Sequence, residues 1–76
     1  MNKERRKKIE VIKDSFLDLQ EDLQAVLDEE QEAYDNLPES LQESEKGERM
    51  SSSIENIDSA MSSLGEVIEF LDELNQ

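Results

Sequence analysis

The chain has 76 residues, a net charge of −13, and no cysteine, histidine or tryptophan. A chain of this length forms one domain at most and buries a small fraction of its surface, so we expect association with another chain to add stability. The missing residue types exclude disulfides, thiolate nucleophiles and imidazole catalysis, and they remove the usual ligands of zinc. We predict a single domain over residues 1–76 that is not an enzyme and binds no cofactor and no metal.

The charges are unevenly distributed along the chain. Residues 1–13 carry six of the eight Lys and Arg with two acids, whereas residues 14–45 carry twelve acids and no base. This balance favours solubility and argues against direct nucleic-acid binding. The basic residues 1–8 either neutralise the acidic end of a second helix, contact an anionic surface or nucleic acid, or form a frayed end.

No segment has the pattern of a membrane or export sequence. A bilayer span needs about 18 consecutive apolar residues, and the chain has no such run. Asp14 and Asp18 interrupt the basic start before an apolar stretch as long as that of a signal peptide. Together with the absence of cysteine, this predicts a cytoplasmic protein without membrane contact.

The first helix is predicted over residues 3–35. This segment contains no glycine or proline and is rich in good helix formers. Its apolar residues are spaced alternately by three and four, which keeps them on one side of a helix. They are Ile9, Ile12, Phe16, Leu19, Leu23 and Val26.

Residues 36–47 form the predicted connection. Pro38 disfavours helix at Leu37 and therefore ends the first helix near Asn36. Since proline is favourable in the first turn of a helix, residues 38–42 are predicted to form a short helical turn with Leu37 and Leu41 packed against the tip.

The second helix is predicted over residues 45–74. Ser44 is favoured as its N-cap, and a capping box of Ser52 with Glu55 is the alternative. Gly65 lies inside this helix, either as a tolerated surface residue or as a point where another backbone comes close. The apolar spacing continues through Met50, Ile54, Ile57, Met61, Leu64, Ile68 and Leu71.

We predict that the two helices pair antiparallel as an all-α helical hairpin. A tip near Ser40 would place Phe16 opposite Leu64, Ile12 opposite Ile68 and Ile9 opposite Leu71. The same register would bring the bases at positions 5–8 beside acids of the second helix, where opposite charges favour the antiparallel pairing. The residues concerned are Arg5, Arg6, Lys7 and Lys8 on one side and Glu69, Asp72 and Glu73 on the other.

The apolar stripe is wider than one pair of helices needs. Leu27 and Tyr34 widen it on the first helix, and Ala60, Val67 and Leu74 widen it on the second. A stripe of three positions in seven is typical of bundles, so we predict a homodimer that forms a four-helix bundle. The predicted dimer and seam residues are Phe16, Leu19, Leu23, Val26, Leu27, Ile57, Met61, Leu64, Val67 and Ile68.

Acidic residues on the first helix form a candidate partner surface. Nine carboxylates fall between Asp14 and Asp35, about one per 3.7 Å of helix axis, close to the roughly 3.4 Å phosphate spacing along one DNA strand. This face either keeps the helix soluble or mimics nucleic acid. The candidate residues are Asp14, Asp18, Glu21, Asp22, Asp28, Glu29 and Glu32.

The segments AYDNLPESLQESEKGERM and SIENIDSAMSSLGEVIEFLDEL resemble a set of small acidic helical-hairpin proteins of bacteriophages and prophages of Gram-positive bacteria. The shared pattern is an acidic helix ending in Asn-Leu-Pro-Glu, a Ser-Glu-x-Gly segment and a second helix with repeated Ile and Leu, over roughly residues 30–74. The resemblance implies a phage accessory protein, located in the host cytoplasm, and implies no activity and no site residues.

Three functions are compatible with these features. The favoured one is a protein-protein interaction module that binds a host or phage protein. The first alternative is a nucleic-acid-mimicking inhibitor of a host or anti-phage enzyme, and the second is a structural coiled-coil assembly part.

Overall fold

The computed structural model describes residues 1–76 and is entirely helical. It consists of α1 (Lys3–Asp35), α2 (Glu39–Gln42) and α3 (Glu45–Leu74). The predicted all-α class and the predicted helices over 3–35 and 45–74 are confirmed. Neither of the long helices has a segment apolar enough to span a bilayer.

Local signals set both ends of α1. The side chain of Asn2 caps its start, since Oδ1 accepts a hydrogen bond of 2.9 Å from the backbone N–H of Arg5. At the other end Asn36 is the C-cap; its N–H donates to the carbonyl of Glu32, and the N–H of Leu37 donates to the carbonyl of Tyr34. The helix stops there because Pro38 follows two residues later and disfavours helical backbone at Leu37.

The short helix α2 fills the connection, as predicted. Pro38 is its N-cap, and the side-chain amide of Gln42 donates to the carbonyls of Tyr34 at 3.1 Å and Leu37 at 3.2 Å. These bonds tie the last residue of α2 to the end of α1 and to the connection that follows it. Leu37 is half-buried at the tip, but the packing predicted for Leu41 is wrong because its side chain is exposed.

The helix α3 begins where Ser44 caps it. Ser44 Oγ accepts from the N–H of Gly47 at 3.4 Å and donates to the carbonyl of Leu41. Gly47 packs directly on the end of α2, and a Cβ atom there would lie 2.6 Å from the carbonyl oxygen of Leu41 and overlap the carbonyl of Gln42. A side chain at position 47 would therefore push α2 away from α3.

The helices α1 and α3 lie side by side and antiparallel. Nζ of Lys13 is 3.1 Å from Oδ1 of Asp72, and the side-chain amide of Asn75 donates to Glu10 at 2.7 Å. The molecule measures 58 × 15 × 14 Å, so it is an elongated pair of helices. This arrangement is consistent with the predicted helical hairpin.

The register differs from the predicted one by about one helical turn. The contacts of Lys13 with Asp72 and of Glu10 with Asn75 place Phe16 level with Ile68, whereas the sequence predicted Leu64. The prediction assumed a tip centred on Ser40. Because α2 occupies 39–42 and α3 starts beyond it, the centre of the turn moves toward Gln42.

The rotation of α1 about its axis also differs from the prediction. Half-buried residues of α1 recur at 9, 16, 23 and 30, the first three as predicted, but the alternate positions are 13, 20, 27 and 34, instead of 12, 19 and 26. On α3 the predicted positions 50, 54, 57, 61, 64, 68 and 71 are all half-buried. A pair of helices covers only two positions in every seven on each helix. Since the apolar stripe on α1 is three positions wide, one of its three rows of residues stays exposed.

Candidate interaction surfaces

The pair of helices has no dry apolar core. Only one of the 76 residues, Gly47, is fully buried, and no apolar side chain of the seam is buried to that extent. The accessible surface is 5701 Å², while a compact monomer of this mass would expose about 4,800 Å². The excess reflects the elongated shape of the pair of helices, which measures 58 × 15 × 14 Å.

Exposed apolar residues line one side of the seam. On both helices each of these residues comes directly before a half-buried residue of the seam. In an antiparallel pair of helices, two rows placed in this way lie on the same side of the seam. We call this surface the apolar strip. Its members are Ile12, Leu19, Val26 and Ala33 on α1 and Ser53, Ala60, Val67 and Leu74 on α3, all exposed.

Phe70 extends the apolar strip on α3. It lies three residues after Val67 and four before Leu74, a spacing that makes all three neighbours on the helix surface. Its exposed fraction is 67%. Val11, another apolar residue outside the predicted stripe, lies on the outer face of α1 and is 66% exposed, so it does not share this patch.

Apart from Leu17, which is 40% exposed, the opposite flank of the seam is polar. It carries the contact of Glu10 with Asn75 and the ion pair of Lys13 with Asp72. The hydrogen bond that Lys13 donates to Asp72 raises the pKa of Lys13 above its ordinary value of 10.5; Glu10 adds to this rise, and desolvation opposes it. This flank therefore holds the two helices in register through specific polar contacts.

Two surface depressions lie along this polar flank. One, of about 330 Å³, lies between Leu27, Gln31, Ile54 and Asp58, and the other, of about 400 Å³, lies beside Gln20, Gln24 and Met61. No three acidic side chains converge on a point where a metal ion could be held.

The seven candidate acidic residues all lie exposed on α1, away from the seam. Asp28 accepts a hydrogen bond of 2.9 Å from the side-chain amide of Gln24, and no cation of the chain pairs with any of the seven. Their spacing along one helix leaves a continuous negative surface. Whether this surface binds a partner stays a prediction.

The basic start of α1 lies beyond the end of α3. In the observed register Lys8 is level with Gln76, so residues 3–7 extend past the paired region. The predicted contacts of Arg5 and Lys8 with acids of α3 are wrong, as are those of Arg6 and Lys7, since none of these four bases forms an ion pair. Lys13 alone reaches Asp72, because it lies one to two turns further along α1.

The predicted seam residues divide into two groups. Between α1 and α3 the structure brings together Phe16, Leu23, Leu27, Ile57, Met61, Leu64 and Ile68, all half-buried. Leu19, Val26 and Val67 lie instead on the apolar strip, where Leu19 is 51% exposed. The contact with a second copy that was predicted for this set stays a prediction.

Sequence reasoning missed four residues that shape this arrangement. Lys13 and Gln20 occupy inner positions of the seam although they are polar. Gln42 and Gly47 fix the connection. Only Gly47 gave a local signal, a glycine in the first turn after a serine cap, where close approach to a preceding segment is possible.

The comparisons with known proteins identify no relative of this chain: no family model, no curated protein and no solved structure matches it.

Proposed function

We propose that the protein is a non-enzymatic protein-protein interaction module that works as a homodimer, with two copies packed along the apolar strip as a four-helix bundle. The apolar strip carries the proposal. Three of its residues on α1 recur every seven positions, and Val67 and Leu74 flank the same side on α3. Apolar side chains so aligned gain about 25 cal/mol for each Å² that a partner removes from water.

The weak burial within one copy supports the same proposal. Each seam side chain is covered on one side only, so it contributes less than a fully buried residue, which is worth about 1.5–3 kcal/mol. Ordering the backbone costs about 1–2 kcal/mol per residue. A second copy on the apolar strip would bury the seam and the strip together, and closed two-fold dimers are the commonest oligomers.

A matched pair of variants tests the dimer. Val26 lies on the apolar strip and Val11 lies on the outer face of α1, so Val26→Gln and Val11→Gln make the same chemical change in two surroundings. Sedimentation at micromolar concentration is expected to give a dimer for the natural chain and for Val11→Gln, and a monomer for Val26→Gln. A folded natural chain that sediments as a monomer would overturn the homodimer.

The acidic face of α1 supports a second candidate function, the mimicry of nucleic acid. All seven candidate carboxylates are exposed and none pairs with a cation, and the nine carboxylates between Asp14 and Asp35 have a mean spacing near that of phosphates. A mimic is expected to lose its partner steeply as salt rises, because screening weakens exposed charge contacts, whereas an apolar interface is much less sensitive. The same carboxylates also keep a soluble helix charged, so the interaction module remains the favoured function.

One experiment separates the two candidates. Reversing the charge at Asp18, Glu21, Asp22 and Asp28 to lysine removes the acidic surface without touching the seam or the apolar strip. A captured partner, from the host or from a phage as the resemblance suggests, would be lost by this variant if the chain is a mimic. Retention of that partner by the lysine variant and its loss by Val26→Gln would favour the apolar strip.

A further inference from the structure

The side chains of the apolar strip become smaller from the open end of the helix pair toward the tip. In the observed register Ile12 is beside Leu74, Leu19 is beside Val67, and Val26 is beside Ala60. The last of these pairs, nearest the tip, is Ala33 beside Ser53. A flat partner would therefore meet bulky residues at one end of the strip and small ones at the other.

Because of this gradient in side-chain size, the apolar strips of two copies are complementary in shape when the copies run in opposite directions. If two strips pack antiparallel, the pair Ile12 and Leu74 of one copy meets Ala33 and Ser53 of the other, and the two middle pairs meet each other. Every layer of the resulting bundle then has nearly the same side-chain volume. Two parallel copies would instead place four large residues in one layer and four small ones in another, which is poor packing at interior density.

The charges at the two ends of the molecule are also complementary. The basic segment, residues 1–8, carries five bases and one acid and extends beyond α3. The acidic tip, residues 28–45, carries eight acids and no base. None of the five bases is paired within its own chain, so they are available to another molecule.

Distances along the helix bring these two regions together. The apolar strip on α1 is centred between Leu19 and Val26, and in the observed register Glu45, where α3 begins at the tip, lies about 26 Å from that centre at 1.5 Å per residue. The same distance in the other direction reaches Arg5. In a reversed pair centred on the strip, the acidic tip of one copy thus lies beside the basic segment of the other.

We propose that the two copies of the homodimer pack antiparallel along the apolar strip, and that the basic segment of each copy binds the acidic tip of the other. This inference rests on the proposed homodimer and specifies its geometry. A parallel dimer would put the two basic segments together and the two acidic tips together, and like charges at both ends would oppose it.

A spin label at the tip measures the orientation directly. The chain contains no cysteine, so Ser40→Cys creates a unique labelling position on the exposed surface of α2. Pulsed dipolar spectroscopy is expected to give an inter-copy distance of about 50 Å in the antiparallel dimer, at 1.5 Å per residue. In a parallel bundle the labels would be within about 25 Å, since neighbouring helices lie about 8–10 Å apart.

Charge reversal tests the electrostatic contact. Arg5→Glu combined with Arg6→Glu, and separately Glu39→Lys combined with Glu43→Lys, are each expected to weaken the dimer by at least about tenfold at low salt. The effect should shrink in high salt as screening increases. An equimolar mixture of the two variants should restore dimerisation, because the new carboxylates at positions 5 and 6 of one variant then face the new ammonium groups at positions 39 and 43 of the other, while the second contact of the pair keeps its natural charges.

The outcomes separate this inference from the proposed function. A natural chain that stays monomeric overturns the homodimer and, with it, the orientation. A dimer whose tip labels lie within about 25 Å overturns the antiparallel arrangement alone, leaving the homodimer intact. A dimer with the long distance but no response to either charge reversal overturns the contact between the basic segment and the acidic tip.

Discussion

Nζ of Lys13 on α1 lies 3.1 Å from Oδ1 of Asp72 on α3, 59 residues later in the chain. It is the single ion pair that joins the two long helices. Lys13 occupies an inner position of the seam. An apolar side chain at this position would pack equally well in more than one register of the two helices. A lysine there favours a register in which its ammonium group reaches a carboxylate, and in the observed register that carboxylate belongs to Asp72.

The contribution of this ion pair is expected to depend on pH at the alkaline end. The hydrogen bond to Asp72 raises the pKa of Lys13, so the folded state holds the proton more tightly than the unfolded chain. The stabilisation is therefore complete below the ordinary pKa of 10.5 and is lost as pH rises through the higher pKa of the folded state. Urea unfolding should show that Asp72→Asn costs stability at pH 8–10 and progressively less above about 10.5. In a Lys13→Met background Asp72→Asn should cost nothing, and a cost that persists there would contradict the assignment to this pair.

Substitution of the two glycines of α3 by alanine should change the stability of the fold in opposite directions. Gly47→Ala is expected to destabilise the fold by about 1–3 kcal/mol, because the added methyl overlaps the carbonyls of Leu41 and Gln42. Gly65→Ala should stabilise it by about 1 kcal/mol, since the methyl would meet only the side chain of Gln20, at 3.9 Å, in a helix interior. Thermal unfolding followed by circular dichroism measures both. Equal effects of the two substitutions would show that the contact of Gly47 with α2 is not made.

Ser44, which caps α3, should contribute more to the stability of the fold than the other serines of this helix. Ser44→Ala removes the acceptor for the N–H of Gly47 and is expected to cost about 1 kcal/mol. Ser62→Ala, at an exposed position inside α3, should instead add a few tenths of a kcal/mol, since alanine is the better helix former. Denaturant titration of the two variants gives the comparison. A neutral Ser44→Ala would place the start of α3 later, near the alternative cap at Ser52.

Thermal stability is expected to depend on protein concentration. If folding and dimerisation are coupled, the melting temperature of the natural chain should rise by about 5 °C for each tenfold increase in concentration, taking about 0.7 kcal/mol of unfolding enthalpy per residue. Val26→Gln should melt lower and show little dependence on concentration. Calorimetry over a hundredfold range of concentration measures this, and a constant melting temperature for the natural chain would argue for a stable monomer.

The sequence by itself determined the helices and their ends. Pro38 and Asn36 mark the end of α1, and Ser44 marks the start of α3, because helix propensity and capping depend only on residues within a turn or two. The apolar spacing on α3 likewise identified its seam positions from Met50 to Leu71, all of which are half-buried.

Only the tertiary structure decided how the two helices meet. The stripe on α1 is three positions wide, so rotations that turn Leu19 or Leu27 inward both cover apolar surface, and local sequence does not distinguish them. The choice depends on the connection, where Gln42 binds the end of α1 and Gly47 lets α2 pack on α3. These contacts join residues whose proximity exists only after the chain has turned, and they leave Leu19, Val26 and Val67 exposed on one side of the molecule.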